Sequence, residues 1–331
     1  MKVFKYILIL LIVFLISGYF LLQNHSVQNR LFENTVRELF QTDEIFMNDA
    51  LSVAVCGSRA PLPSPNRAET CLLVQAGTSK FIIDTGRGSA DNLQRWRVDY
   101  SDLEAVILSH LHSDHISDLH EVQFQSWLGG RKTPLSVIGP IGTASTAQGF
   151  EQAFKLDSIY RSEHHGAILP IEAYGYDVVE FEGDAKLIFE NEDTRITAFK
   201  VDHAPVDPAY AFKIEYKDRS IVVSGDTVSL DVMTKYSKGV DVLFHDALAK
   251  PLIQEMEKIS EEIGNNIVSK VLFDIQDYHA NTVEVADIAR RAEVDLLVFY
   301  HLIPAPRNYI SEQMFLRGVD EIFTNYHVSE D

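Results

Sequence analysis

The chain has 331 residues, 46% hydrophobic and 23% charged, with 17 Gly and 11 Pro. These are globular proportions, which exclude collagen, a coiled coil, low-complexity disorder and a disulfide-dense scaffold, and a single long apolar run excludes a polytopic membrane protein. Lys and Arg number 29 against 48 Asp and Glu, a net charge of −19 that repels polyanions at long range and makes nucleic acid an unlikely partner.

Residues 6–22, YILILLIVFLISGYFLL, carry no charge and follow Lys2 and Lys5. Seventeen residues form about 25 Å of helix, near the lower limit for a bilayer span, and the flanking lysines hold the N-terminus in the cytoplasm. A cleaved signal peptide and an uncleaved anchor both fit. No A-x-A site follows the run, and Tyr19–Leu22 continues apolar past Ser17-Gly18, which favours the anchor. The expected domain plan is 1–25 as signal anchor or signal peptide, 26–47 as a helical stalk and 48–331 as one folded domain. The expected location is membrane-anchored through 6–22, facing the periplasm or the exterior, or secreted if cleavage occurs. Without its two N-terminal lysines the exported part carries −21.

Further along, β-rich apolar runs alternate with helical stretches. Strands are expected at 51–56, 71–76, 80–84, 104–109, 135–138, 186–190, 195–201, 210–216, 220–224, 240–244 and 295–300. Helices are expected at 117–128, 143–154, 230–237, 251–263 and 282–292, which together suggest two sheets covered by helices. The two cysteines, Cys56 and Cys71, lie at facing ends of two strands, and both a disulfide and two buried free thiols remain open.

Seven of twelve histidines fall at or just past strand ends. The densest group is Ser109-His110-Leu111-His112-Ser113-Asp114-His115, after the strand LEAVIL. On an extended turn, positions i and i+2 point the same way, so His110 and His112 can grip one ion. Asp114 and His115 then reach a second. Imidazole and carboxylate suit Zn²⁺, and carboxylate also suits Mn²⁺ or Fe²⁺. His203, Asp226 in Ser224-Gly225-Asp226-Thr227, and His301 follow or end other strands, and a carboxylate at 226 can bridge two cations roughly 3.5–4 Å apart.

In this order, H-x-H-x-D-H, a lone His, a G-D-T Asp, H-D-A and a final His resemble the metallo-β-lactamase superfamily, in particular the branch of ribonuclease Z and the zinc arylsulfatase/phosphodiesterase enzymes. The likeness spans about 50–305 and takes in Gly57–Pro65, Ile83-Asp84-Thr85-Gly86, Gly139–Thr143, His245-Asp246-Ala247 and His279-Ala280-Asn281-Thr282. It implies an α/β four-layer αββα sandwich and two divalent ions. One ion is held by His110, His112 and His203, the other by Asp114, His115 and His301, and Asp226 bridges them. It also implies Asp84 and Asp246 as supports behind the ligands, and Asp114, His279 and His245 as catalytic groups. In that scheme a hydroxide bridging the ions attacks and His279 protonates the leaving group. Asp246 stands where the commoner residue is Glu.

Weaker signals are a 129–172 excursion that forms either a flap, with Arg161 or His164 on an anionic substrate, or a solvated surface segment. The only compact basic clusters, Arg131-Lys132 and Arg95-Trp96-Arg97, are too short to track RNA. The leading expectation is an exported hydrolase of small phosphodiesters or sulfate esters, with a small anionic ester as substrate. The alternatives are ribonuclease Z-like 3′ processing of tRNA, lactone or β-lactam hydrolysis, and a non-catalytic binding module. The last is disfavoured because all seven ligand positions are filled. A homodimer is one option for the assembly.

Overall fold

The computed structural model describes residues 2–41, 45–47 and 49–331. It divides into two compact units, Met1–Glu44 and Ile45–Asp331. In the first, α1 (Lys2–Gln23) carries no charge beyond Lys5, and its Val3–Gln23 stretch is long and apolar enough to cross a membrane. Asn24 then caps α2 (His25–Leu39), accepting from the amides of Ser26 at 2.9 Å and Val27 at 3.3 Å. The expected stalk over 26–47 is therefore helical to Leu39. Residues 42–44 of that stretch lie outside the described residues, as does residue 48.

The second unit contains two sheets. In the first, β1 (Leu51–Gly57), β2 (Cys71–Ala76), β3 (Ser79–Ile83), β4 (Leu103–Ile107), β5 (Leu135–Pro140) and β6 (Tyr176–Phe181) lie side by side in chain order. The first three run antiparallel, the rest parallel. In the second, β7 (Ala185–Glu190), β8 (Thr194–His203), β9 (Val206–Tyr216) and β10 (Arg219–Val223) are antiparallel. Next to them β11 (Val242–Leu248), β12 (Leu296–Ile303) and β13 (Tyr326–Val328) continue in parallel.

Alternation along the strands builds the layers. Phe81 and Ile83 face a core between the sheets, where they meet Phe212, Ile214, Ile221 and Val223. Ile82, between them, faces outward to a second core with Leu93 and Val122. Val222 likewise faces a third core with Ile288 and Phe315. Because both faces of each sheet are buried, the central strands read as continuous apolar runs. The outer layers comprise α3 (Ser89–Arg95), α4 (Ser113–Ile116), α5 (Leu119–Leu128) and α6 (Thr143–His165) on one side. On the other are α7 (Asp231–Tyr236), α8 (Lys250–Glu262), α9 (Asn266–Asp274), α10 (Thr282–Ala292) and α11 (Tyr309–Phe315). This is the four-layer αββα sandwich.

Most of the 129–172 stretch is regular: β5 and then α6, which runs eleven residues past its expected end because nothing breaks it before Gly166. The amides of Gly142 and Ala144 at its start bond the Glu180 carboxylate at 2.8 and 2.9 Å, so the anion there is the protein's own. Arg161 pairs with Asp157 at 2.8 Å and lies over the Phe124 ring. The cysteines form a disulfide, Cys56–Cys71, buried where β1 meets β2.

Candidate metal centre

The central strands deliver the candidate ligands to one rim. His110 and Asp226 each follow a strand by three residues, β4 and β10; His203 ends β8 and His301 lies near the end of β12. Local backbone geometry aims them. His301 falls at the register shift between β11 and β12, left unpaired at φ 45° by a bulge that turns it out of the alternating pattern. Asp226 follows Gly225, whose φ of 59° and close approach to the Tyr210 carbonyl admit no side chain: a Cβ there would lie 2.6 Å from that oxygen.

One oxygen, Asp226 Oδ2, is the centre of the cluster. It lies 3.8 Å from His110 Nε2, 3.7 Å from His203 Nε2, 3.3 Å from His115 Nε2 and 3.2 Å from His301 Nε2. On one flank His112 Nδ1 is 3.0 Å from His110 Nε2 and 3.3 Å from His203 Nε2. On the other, Asp114 Oδ2 is 3.2 Å from His301 Nε2 and 3.6 Å from His115 Nε2. The two resulting groups, His110/His112/His203/Asp226 and Asp114/His115/Asp226/His301, each hold their donor atoms within 4.8 Å of one another. All but His112 are buried.

These residues fit divalent ions. Bonds of about 2.0–2.1 Å in tetrahedral array place neighbouring donors about 3.3 Å apart, the spacing observed. His115 Nε2 and Asp226 Oδ1 are buried without a hydrogen-bond partner, lone pairs that an ion would take up. Protonation follows the same logic. Burial keeps His110 well below the usual imidazole range, and it lowers His112 and His203 too, so all three are neutral. Burial opposes the charged forms of Asp226 and Asp114, yet the neighbouring imidazoles outweigh it. His301 and His115 hold Asp226 well below the carboxylate range, and His115 and His301 bring Asp114 to about 2. The cluster is built around positive charge.

Behind it, Asp84, at φ 58°, accepts from the Ser109 amide at 2.8 Å and the Ser109 hydroxyl at 2.7 Å, and its Oδ2 meets His115 Nδ1 at 2.8 Å. His203 Nδ1 donates to the Tyr278 carbonyl at 3.0 Å. Asp246 Oδ2 meets His279 Nδ1 at 2.9 Å, and Asp246, His279, Asp226 and His301 form a third group of close donors. His245 stays outside these groups: wholly buried on β11, it turns Nδ1 to the Asp246 carbonyl at 2.8 Å and has no partner at Nε2. Sequence reading passed over Tyr278, whose ring packs 5.1 Å from His203 and 4.9 Å from His279; its one signal was its place just before His279.

A model of the metallo-beta-lactamase superfamily matches residues 65–301. Ribonuclease Z of Mycobacterium bovis is 35% identical over 77% of this chain and 87% of its own length. Ribonuclease Z of Mycobacterium marinum is 34% identical over the same shares. Among solved structures, the metallo-beta-lactamase fold protein YhfI of Bacillus subtilis superposes with a TM-score of 0.63 at 21% identity, covering 85% of this chain and 98% of its own. Human tRNase Z, short form, gives 0.60 at 19%, covering 84% and 96%; at these identities the two show the fold.

The relatives correct one expectation. Nucleic acid was set aside as an unlikely partner on net charge, but sequence relatives over most of the chain are named as ribonucleases. Net charge sums over a whole surface, whereas a polyanion responds to the field of the site it enters, and bound divalent ions reverse that field locally. The chain belongs to the metallo-beta-lactamase superfamily, as one of its metal-dependent hydrolases.

Proposed function

We propose that the chain hydrolyses RNA phosphodiesters as a ribonuclease Z-type endonuclease that removes the 3′ trailer of a precursor tRNA. The observation that carries this reading is Asp226 Oδ2 set 3.2–3.8 Å from four ring nitrogens, a donor arrangement for two cations. The 35% identity to ribonuclease Z supplies the substrate class. In this reading His110, His112 and His203 would hold one ion and Asp114, His115 and His301 the other, with Asp226 available to both groups. Zinc is the ion such donors suit. When bound, the pair supplies Lewis acidity and a water-derived nucleophile near neutral pH.

The chain's own groups do the rest. Asp84 fixes the His115 ring through Nδ1. His279, steadied at Nδ1 by Asp246, gives its other ring proton to the departing ribose oxygen. Burial opposes the charged form of Asp246, but the neighbouring His245 ring, with Nδ1 3.0 Å from Oδ1, and the His279 hydrogen bond at 2.9 Å hold its carboxyl below the usual carboxylate range.

The α1 helix and the Cys56–Cys71 bridge favour a second reading: the same chemistry on a small phosphodiester or sulfate ester, by a chain anchored through residues 6–22 in an oxidising compartment. The test loads the full chain with Zn²⁺ in detergent and compares a trailer-bearing precursor tRNA, bis(p-nitrophenyl) phosphate and p-nitrophenyl sulfate, with His112→Ala as blank. Trailer release at the highest kcat/KM supports the RNA reading. Turnover of an aryl ester with intact RNA refutes it in favour of the second.

A further inference from the structure

On this acidic chain, arginines from the 58–70 loop, the 85–88 turn and α3 converge. Arg59, Arg67, Arg87 and Arg95 line one cavity of about 530 Å³. Part of their charge is met by Glu69, 3.1 Å from both Arg59 and Arg87, and Asp91 also reaches the wall. Into the same cavity comes the side chain of Asp331. Its Oδ1 accepts from the Ser58 amide at 3.0 Å and the Ser58 hydroxyl at 2.5 Å, and its Oδ2 accepts from Asn92 Nδ2 at 3.1 Å and from the Ala68 amide. Ser58, Ala68 and Asn92 are all buried, whereas Asp331 remains exposed. Arg67 tethers the same segment, donating to the Ser329 carbonyl and lying 3.7 Å from Glu330.

Two amides, a hydroxyl and a carboxamide aimed at one anion, with guanidinium groups around it, are what a phosphate group takes. The cradle is also coupled to the metal centre. Leu302, next to His301, donates to the Ser58 carbonyl at 2.9 Å. Gly86 donates to the Thr70 carbonyl at 2.9 Å, and Thr85 beside it donates to the His115 carbonyl at 2.6 Å. The 58–70 loop that forms the cradle is thereby bonded directly to one ligand-bearing strand and through residues 85–86 to the other ligand segment.

We infer that this cradle is a second phosphate subsite, engaging the RNA backbone away from the scissile bond, and that the Asp331 carboxylate is a resident competitor which RNA displaces. The RNA part rests on the proposed function; the anion chemistry does not. The alternative is that Asp331 serves only to hold the loop.

The experiment uses the zinc-loaded full chain and two probes. One is a mature tRNA transcript, bound by fluorescence anisotropy between 50 and 200 mM NaCl. The other is sodium sulfate, read as a shift in melting temperature against NaCl of equal ionic strength. Arg87→Ala and Arg95→Ala each weaken tRNA binding about 3- to 10-fold and make the slope of log K against log salt shallower by about 0.7–0.9 for each phosphate no longer neutralised. Asp331→Asn acts in the opposite sense, tightening tRNA binding about 3- to 10-fold and increasing the stabilisation by sulfate. Arg87 is two-thirds exposed, so its variant tests the cradle even if Asp331→Asn fails to fold. If no variant binds tRNA while sulfate still favours Asp331→Asn, the RNA reading fails and the anion subsite stands. A lower melting temperature for Asp331→Asn with no gain in sulfate response, or an Arg87→Ala variant that responds to sulfate as wild type does, overturns the subsite.

Discussion

Asp84→Asn isolates one contact of the centre. The position has φ 58°, a left-handed conformation that Asn tolerates, so the backbone is preserved. The carboxylate now accepts from the Ser109 amide, the Ser109 hydroxyl and His115 Nδ1, all within 2.7–2.8 Å. A carboxamide has one acceptor and one donor end, so in either orientation its NH₂ faces a group that must itself donate. Replacing a partner of this kind costs about 10- to 100-fold in metal affinity, or roughly 1.4–2.8 kcal/mol. The loss should fall mainly on the ion of His115, whose ring Asp84 bonds directly, and less on the ion of His110, His112 and His203, which Asp84 reaches only through the Ser109 hydroxyl, 3.1 Å from His110 Nδ1. Competition against a chromogenic zinc chelator measures both sites. Two zinc ions bound as in wild type, or both weakened equally, would refute the reasoning.

Three further outcomes follow. Chelation of the metal should abolish turnover and lower the melting temperature by on the order of 10 °C, since two sites each held at a hundredfold over Kd contribute about 2.7 kcal/mol apiece; elemental analysis should find two ions per chain before and none after. His279→Ala should cost about 10²- to 10⁴-fold with an alkoxide leaving group but less than about tenfold with p-nitrophenoxide, and an equal loss on both substrates would remove the proton-donor role. Gly225→Ala should destabilise by about 2–4 kcal/mol, because its Cβ meets the Tyr210 carbonyl at 2.6 Å, whereas Gly239→Ala, also at positive φ (66°) but with no atom within 4 Å, should cost about 1 kcal/mol. Urea melts of both variants check the difference.

What the sequence disclosed and what it hid divide along the range of the interactions involved. The 110–115 cluster was legible because four donors within six residues need only one turn to converge, Asp226 and His301 because each follows or ends an apolar run that both sheet faces bury, and His203 because it closes the alternating strand β8. The strand β6 escaped notice because most of its side chains are not buried, and α9 because Ile267, Val268, Val271 and Phe273 are exposed, so its apolar residues trace no buried stripe. The His301 bulge depends on the register of β11 against β12, which no single strand encodes. The arginine cradle is the extreme case: Ser58 and Ala68 of one loop, Asn92 of α3 and Asp331 come from three separate parts of the chain, and no short window of sequence brings them together. An argument from net charge therefore fails on physical grounds. The average over the surface is acidic, but phosphate oxygens are bound by a few donors whose proximity is a property of the fold, and that proximity, rather than the sum of charges, sets the field a polyanion meets.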